Sequence, residues 1–225
     1  MSGAQQHGRE VPQWCRFLLA LVLWALVASV VLAVTGADSV VAPLVAGAAV
    51  GIALLGLAWA LPPAVPLGPL RWQPLLCSWA VFAPAFVLLL LAYLWFMRLA
   101  GQPVAPQEGL VALASGSAGA RWAMALSAVV VAPVVEEILF RGYLQSALAQ
   151  FAGARVALVG SALAFGFAHG LAYGVPLTFV GLWLGWLRQR FGTLLTAMLG
   201  HALHNGLMVA VTLLWPGSVE LLYHR

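Results

Sequence analysis

The sequence predicts an all-α fold, a polytopic bundle of about seven membrane-spanning helices within a range of six to eight. Two observations carry this. Hydrophobic residues make up 64% of the 225-residue chain and charged residues only 7%, with a mean hydropathy of +1.01, whereas a soluble domain carries about 25% charged residues. The second is a recurrence of apolar runs close to the roughly 20 residues that a helix needs to cross a bilayer. The lipid bilayer is therefore the expected solvent.

Spans are expected at about 15–34, 40–61, 75–97, 122–149, 155–171, 175–188 and 193–215. The first follows a charged start, "GREVPQWCR", and runs unbroken from Phe17 to Val34. A secretory signal has an apolar region of only about 7–15 residues, so this run reads as a retained span. The second ends in a proline-rich turn region, "LPPAVPLGPLRWQP" (61–74), which leads into the third. After the third comes the one long connection, "RLAGQPVAPQEGLVALASGSAGAR" (98–121). It divides the chain into N-terminal helices (1–100), a connecting loop (101–121), a core that holds nearly all the unusual residues (122–215) and a tail (216–225). The sixth span is short, and no internal repeat is evident.

All ten basic residues are arginines and the formal charge is +4. In a membrane protein such a surplus reads as topology, because cytoplasmic loops are enriched in arginine. With the N-terminus cytoplasmic, Arg9, Arg16, Arg71, Arg155, Arg188 and Arg190 fall inside, and Arg98, Arg121 and Arg225 outside. There is no basic stripe interleaved with surface aromatics, which argues against nucleic acid as a partner. Cys15 and Cys77 form no CxxC and imply neither a disulfide framework nor a metal knuckle. The lack of lysine and the Ala/Leu/Val/Gly/Trp/Arg bias point to a GC-rich bacterial genome, and hence to an inner (cytoplasmic) membrane.

Three polar constellations lie in the second half. "APVVEEILFRGYL" places Glu136 near the middle of the fourth span, where a charge costs a few kcal/mol or more and almost always faces a bundle interior or a wet cavity. Glu137 and Arg141 are four apart and can pair on one helix face, while Glu136 points about 100° away. Pro133 removes a backbone hydrogen bond just upstream, so a kink is expected. In "SALAFGFAHG" (161–170), Phe165 and His169 are four apart. In "LGHALHNG" (199–206), His201 and Asn205 are four apart and His204 is expected to project elsewhere, outside the site, as are His7 and His224. His201 and His204, three apart, also have the spacing of a metal pair. Each constellation alone could be interhelical hydrogen bonding.

The inventory restricts the chemistry. Asp38 is the only aspartate, which excludes a paired-aspartate protease, and no HExxH is present. Ser161 has no nucleophile motif around it. There remain a carboxylate, two histidines and an asparagine on three helices. A carboxylate in a cavity can serve as general base for water, with His169 helping to hold that water. His201 and Asn205 can donate to one point, as an oxyanion site requires.

With these motifs in the order EExxxR, FxxxH and HxxxN, the sequence resembles the CPBP family of CAAX proteases and bacteriocin-processing enzymes, also called the Abi family. The likeness covers about residues 120–215. It implies an intramembrane endopeptidase acting near the C-terminal or membrane-proximal part of a hydrophobic or lipidated substrate. Glu136 and His169 would activate water, His201 and Asn205 would form the oxyanion site, and Glu137, Arg141 and Phe165 would support them. Family members are described both as metalloproteases and as metal-free glutamate enzymes. Either no cofactor is needed, or a divalent metal such as zinc sits on Glu136, His169 and His201. The implied partner is a membrane-anchored peptide or protein substrate, and the oligomeric state is not legible. Two other functions share these residues: a non-catalytic membrane partner or immunity-type protein using the same cavity, and a proton-coupled transporter, against which stands the lack of inverted repeats.

Overall fold

In the computed structural model, residues 11–36 and 41–223 are described; Arg9, Asp38, Arg225, His7 and His224 lie outside them. All regular structure among the described residues is helical. This follows from the solvent: with no water to satisfy N–H and C=O groups, an apolar chain must bond them within each segment. The helices are α1 (Gln13–Thr35), α2 (Ala42–Ala60), α3 (Trp72–Leu99), α4 (Glu108–Ser115), α5 (Ala118–Leu126), α6 (Ala132–Glu136), α7 (Gln145–Ala168), α8 (Gly174–Phe191), α9 (Leu194–Leu214) and α10 (Gly217–Tyr223). Wider π-helical turns, Ser127–Val131 and Glu137–Leu144, join α5 to α6 and α6 to α7.

Five stretches are long and apolar enough to cross a membrane, namely Gln13–Thr35, Ala42–Ala60, Trp72–Leu99, Ala118–Ala168 and Leu194–Leu214. The fourth and fifth expected spans share one of these stretches, and the sixth is not among them. The fourth and fifth form one helical run, broken where Gly153 takes φ 79° and ψ 171°, a conformation that only glycine adopts readily. The sixth is a helix, α8, but Arg188, Gln189 and Arg190 in its last turn dilute its hydropathy. It is shielded by protein instead: Val180, Leu184, Leu187 and Arg188 are buried.

The expected connecting loop is also partly helical. Gln107 precedes α4 in an extended conformation, and Ser117 caps α5 by accepting from the Ala120 amide. Arg121 folds back from α5 and donates to the carbonyls of Ala114 and Gly116 at the end of α4, which satisfies orphan acceptors of a helix terminus. The expected tail likewise contains α10. In both places short apolar segments gain a protein surface to pack on: Leu113, Val219 and Tyr223 are buried.

Two apolar cores flank the Glu136–Glu137 turn. One joins α3, α7, α8, α9 and α10 through Phe82, Phe86, Phe165, Trp183, Ala197 and Val219. The other joins α1, α2, the Glu137–Leu144 turn and the start of α9 through Ala20, Val50, Leu54, Ile138, Tyr143 and Leu194. The proline-rich stretch docks on the start of α9, where the Pro66 and Leu67 carbonyls accept from Leu194 and Leu195 at 3.0 Å each. Those amides have no intrahelical partner, so this contact fixes where α9 begins.

Candidate functional site

The backbone around Glu136 is set by a missing hydrogen. In the wide turn before α6 the Ala132 amide bonds five residues back, to the Ser127 carbonyl. The same register would give the Ala128 carbonyl to residue 133, but Pro133 has no N–H. That carbonyl accepts instead from Asn205 Nδ2 of α9, at 2.9 Å. Pro133 therefore creates the acceptor that ties α9 to the Glu136 helix, and the expected kink takes the form of a π turn. Such turns occur frequently at functional sites.

A second wide turn begins at Glu137, so adjacent carboxylates leave the helix with different surroundings. Glu137 and Arg141 are both fully buried, and Glu137 Oε1 lies 3.2 Å from Arg141 Nη1. The same oxygen lies 2.9 Å from His201 Nδ1. Arg141 Nη2 donates to the Gly181 carbonyl on α8 at 3.1 Å, and its guanidinium lies 4.3 Å from the centre of the Phe165 ring. One turn on, Gln145 Nε2 donates to the Gly185 carbonyl at 3.3 Å. Gln145 carries no sequence signal beyond its i+4 spacing from Arg141, yet it completes a polar ladder. Glycine makes that ladder reachable, since a Cβ on Gly181 would stand 2.9 Å from Ala162 Cα.

Glu136 faces the other way, into a cavity of about 300 Å³. Its Oε2 lies 3.8 Å from His169 Nε2 and 3.9 Å from His201 Nε2, and has no hydrogen-bond partner among the described residues. These spans are too long for direct hydrogen bonds and suit a bridging water. His169 follows the last residue of α7, and its Nδ1 lies 2.8 Å from the Phe165 carbonyl. An oxygen acceptor there requires the proton on Nδ1, as does Glu137 at His201 Nδ1. Both neutral rings thus present an Nε2 lone pair toward Glu136. Phe165 packs against both imidazoles, with centroids 4.9 and 5.7 Å away.

Glu136, Phe165, His169, His201 and Asn205 all line this cavity, while Glu137 and Arg141 lie behind it. His204 also lines it, contrary to the expectation that it lies elsewhere. The reason is helical geometry: residues at i, i+3, i+4 and i+7 share one face, so His201, His204, Asn205 and Met208 form one stripe. Tyr173, in a single 3₁₀ turn before α8, lines the cavity as well and donates its hydroxyl to the Ala105 carbonyl. The segment before α4 is thereby clasped over the site.

The donor set of Glu136, His169 and His201 fits zinc chemistry, including the outer partners that orient each imidazole. The spacing is looser. Tetrahedral ligands at about 2.0–2.1 Å from zinc stand about 3.4 Å apart, and among the described residues no three such side chains converge to a metal-binding group.

An all-helical bundle with five stretches able to cross a membrane, and with a carboxylate and two oriented imidazoles around an internal cavity, defines a class of apolar helical proteins with a polar cavity inside. Residues 118–207 match the family model described as Type II CAAX prenyl endopeptidase Rce1-like, and it is to this family that the segment is similar. The segment contains Glu136, Glu137, Arg141, Phe165, His169, His201 and Asn205. No curated protein and no solved structure matches the chain.

Proposed function

We propose that the protein is an intramembrane endopeptidase that hydrolyses a peptide bond of a membrane-anchored substrate with a water activated by Glu136. The likeness of residues 118–207 to the endopeptidase family supports the reaction class. The observation that carries the residue roles is Glu136 Oε2, buried, unpartnered and facing two Nε2 atoms across 3.8 and 3.9 Å.

In this reading a water sits between Glu136 and His169. Its oxygen attacks the scissile carbonyl carbon while Glu136 takes one of its protons. The tetrahedral oxyanion is met by the second Nδ2 hydrogen of Asn205, the first being held by the Ala128 carbonyl, and by His201. His201 donates from Nε2 only as imidazolium, so in this role it enters the cycle already protonated from solvent and keeps that proton throughout, with Glu137 against its Nδ1 stabilising the charged form as the carboxylate of a triad does. Collapse breaks the C–N bond, and Glu136 returns the proton to the departing amine. No covalent enzyme intermediate forms.

A second reading rests on the two oriented Nε2 atoms. Glu136, His169 and His201 would hold a divalent metal such as zinc, which supplies Lewis-acid polarisation and a more acidic water. The roles of Glu137 and of the Phe165 carbonyl as orienting partners are the same in both.

The test is cleavage of lipidated and unmodified apolar peptides by the full chain in detergent, beside Glu136→Gln, His169→Ala and His201→Ala. Loss of about 100-fold or more is expected for Glu136→Gln. Wild-type-like cleavage by that variant would overturn the general-base assignment. Loss on chelation, restored by one metal, would establish the metal reading. Peptides left uncut, with a cellular phenotype still dependent on the cavity residues, would favour a non-catalytic partner.

A further inference from the structure

One polar group of the cavity has no part in that chemistry. His204 is 4% exposed, and its Nδ1 has no hydrogen-bond partner among the described residues. It packs against Phe82 and Phe86, with ring centroids 5.5 and 4.6 Å away and planes at 66° and 90°. Neither ring offers it a hydrogen-bonding atom. A buried polar nitrogen left unpaired opposes folding, and a phenyl group would fill the same aromatic niche without that cost. Packing alone therefore does not account for an imidazole here.

The geometry points to His204 as a specificity-determining residue that hydrogen-bonds a backbone amide of the peptide substrate, one or two residues from the scissile bond. This rests on the peptidase reading above, and extends it to substrate register. His204 is three residues beyond His201, about 4.5 Å along the helix axis, and an extended peptide advances about 3.3 Å per residue. A chain lying along α9 with its reacting carbonyl at His201 thus brings a neighbouring peptide unit to His204. The chemistry matches: a neutral imidazole offers one donor and one acceptor, as does a peptide unit. An apolar substrate segment has no other polar group to offer. Leu90, Leu110 and Val209, also on the cavity wall, would take its side chains.

The experiment uses the full chain in detergent, with Glu136→Gln as a background that binds without cutting. The probes are a fluorescent farnesylated peptide ending in Cys-Val-Ile-Ala, its unprenylated form, and two farnesylated versions. In these an ester replaces the amide on either side of the Cys–Val bond. His204→Phe is expected to weaken binding about three- to tenfold, the worth of one hydrogen bond, and His204→Gln to recover part of it. One ester peptide should lose a similar factor against the His204 protein and nothing further against His204→Phe. A merely structural residue would not show that coupling. If His204→Phe fails to fold, the same ester comparison on His204 and His204→Gln proteins decides the matter.

Equal ester penalties with and without the imidazole would overturn the subsite. Cleavage by the wild type separates the two readings. Cutting without any His204 dependence leaves the peptidase and removes the subsite. Binding that depends on His204 without cutting does the reverse. Binding of none of the peptides, with no cleavage, overturns both.

Discussion

Oε1 of Glu137 lies 2.9 Å from Nδ1 of His201, and the same oxygen faces Arg141 at 3.2 Å. One buried carboxylate thus neutralises a buried guanidinium and sets the tautomer of an imidazole on another helix. Glu137→Ala removes both functions and leaves Arg141 an uncompensated charge, at a cost of about 3–5 kcal/mol. Thermal unfolding in detergent should show a large drop in midpoint. Glu137→Gln keeps an acceptor for His201, so it should fold better than Glu137→Ala yet lose about 10–100-fold in activity, as loss of an orienting partner does.

Arg141 and lysine are not interchangeable here. The guanidinium serves Glu137, the Gly181 carbonyl and the Phe165 ring at once, which a single ammonium cannot do. Arg141→Lys should destabilise the protein by about 1–3 kcal/mol, from one lost hydrogen bond and a weakened cation–π contact. A thermal midpoint equal to that of the wild type would show that the ladder onto α8 contributes nothing.

Much of the site was legible in the sequence because its residues are rare in so apolar a chain. Glu136, His169, His201 and Asn205 stand out by composition, and their i+4 spacings pair them with Glu137, Arg141 and Phe165. What helical spacing could not give was the π register. An α-helix puts Glu136 about 100° from Glu137, but Asn205 reaches the Ala128 carbonyl only because Pro133 falls where a five-residue bond would have used it. His204 joins the cavity face because residues three apart on a helix are neighbours, which the i+4 pairing of His201 with Asn205 passes over. By hydropathy α8 falls short of a crossing, yet its buried Arg188 bonds to Ser146 Oγ at 2.6 Å; hydropathy cannot foresee a polar partner supplied by another helix.

The tyrosine clasp over the cavity should respond to alkaline pH. Burial pushes the Tyr173 phenol well above its usual range, helped by neighbouring Tyr223, and burial also raises Tyr223. An acid held protonated by the folded state contributes stability below its unfolded value, about pH 10, and loses it as pH rises further. Unfolding followed against pH should therefore be flat near neutrality and decline above about pH 10. Tyr173→Phe should blunt that decline while costing about 1 kcal/mol at neutral pH, and should speed proteolytic nicking of residues 100–107.

Gly166 tests whether the helix pair that carries His169 tolerates any separation. A Cβ there would stand 2.3 Å from Thr178 Oγ1, 2.4 Å from the Gly174 carbonyl oxygen and 2.5 Å from the Thr178 amide nitrogen. Two of these atoms are backbone, so α8 itself must move away from α7. His169 follows three residues later and draws its orientation from the Phe165 carbonyl on the same turn, so the shift should reach its Nε2. Gly166→Ala should cost about 1–3 kcal/mol, the range for overpacking, and should reduce cleavage by more than lost stability explains. The control is Gly119→Ala in α5, where a Cβ meets no atom within 4 Å. There the lower entropy of the unfolded chain should stabilise the protein by about 0.4–1 kcal/mol. Thermal unfolding and cleavage measured on both variants would decide it, because equal behaviour would mean that the two helices do not need glycine to approach.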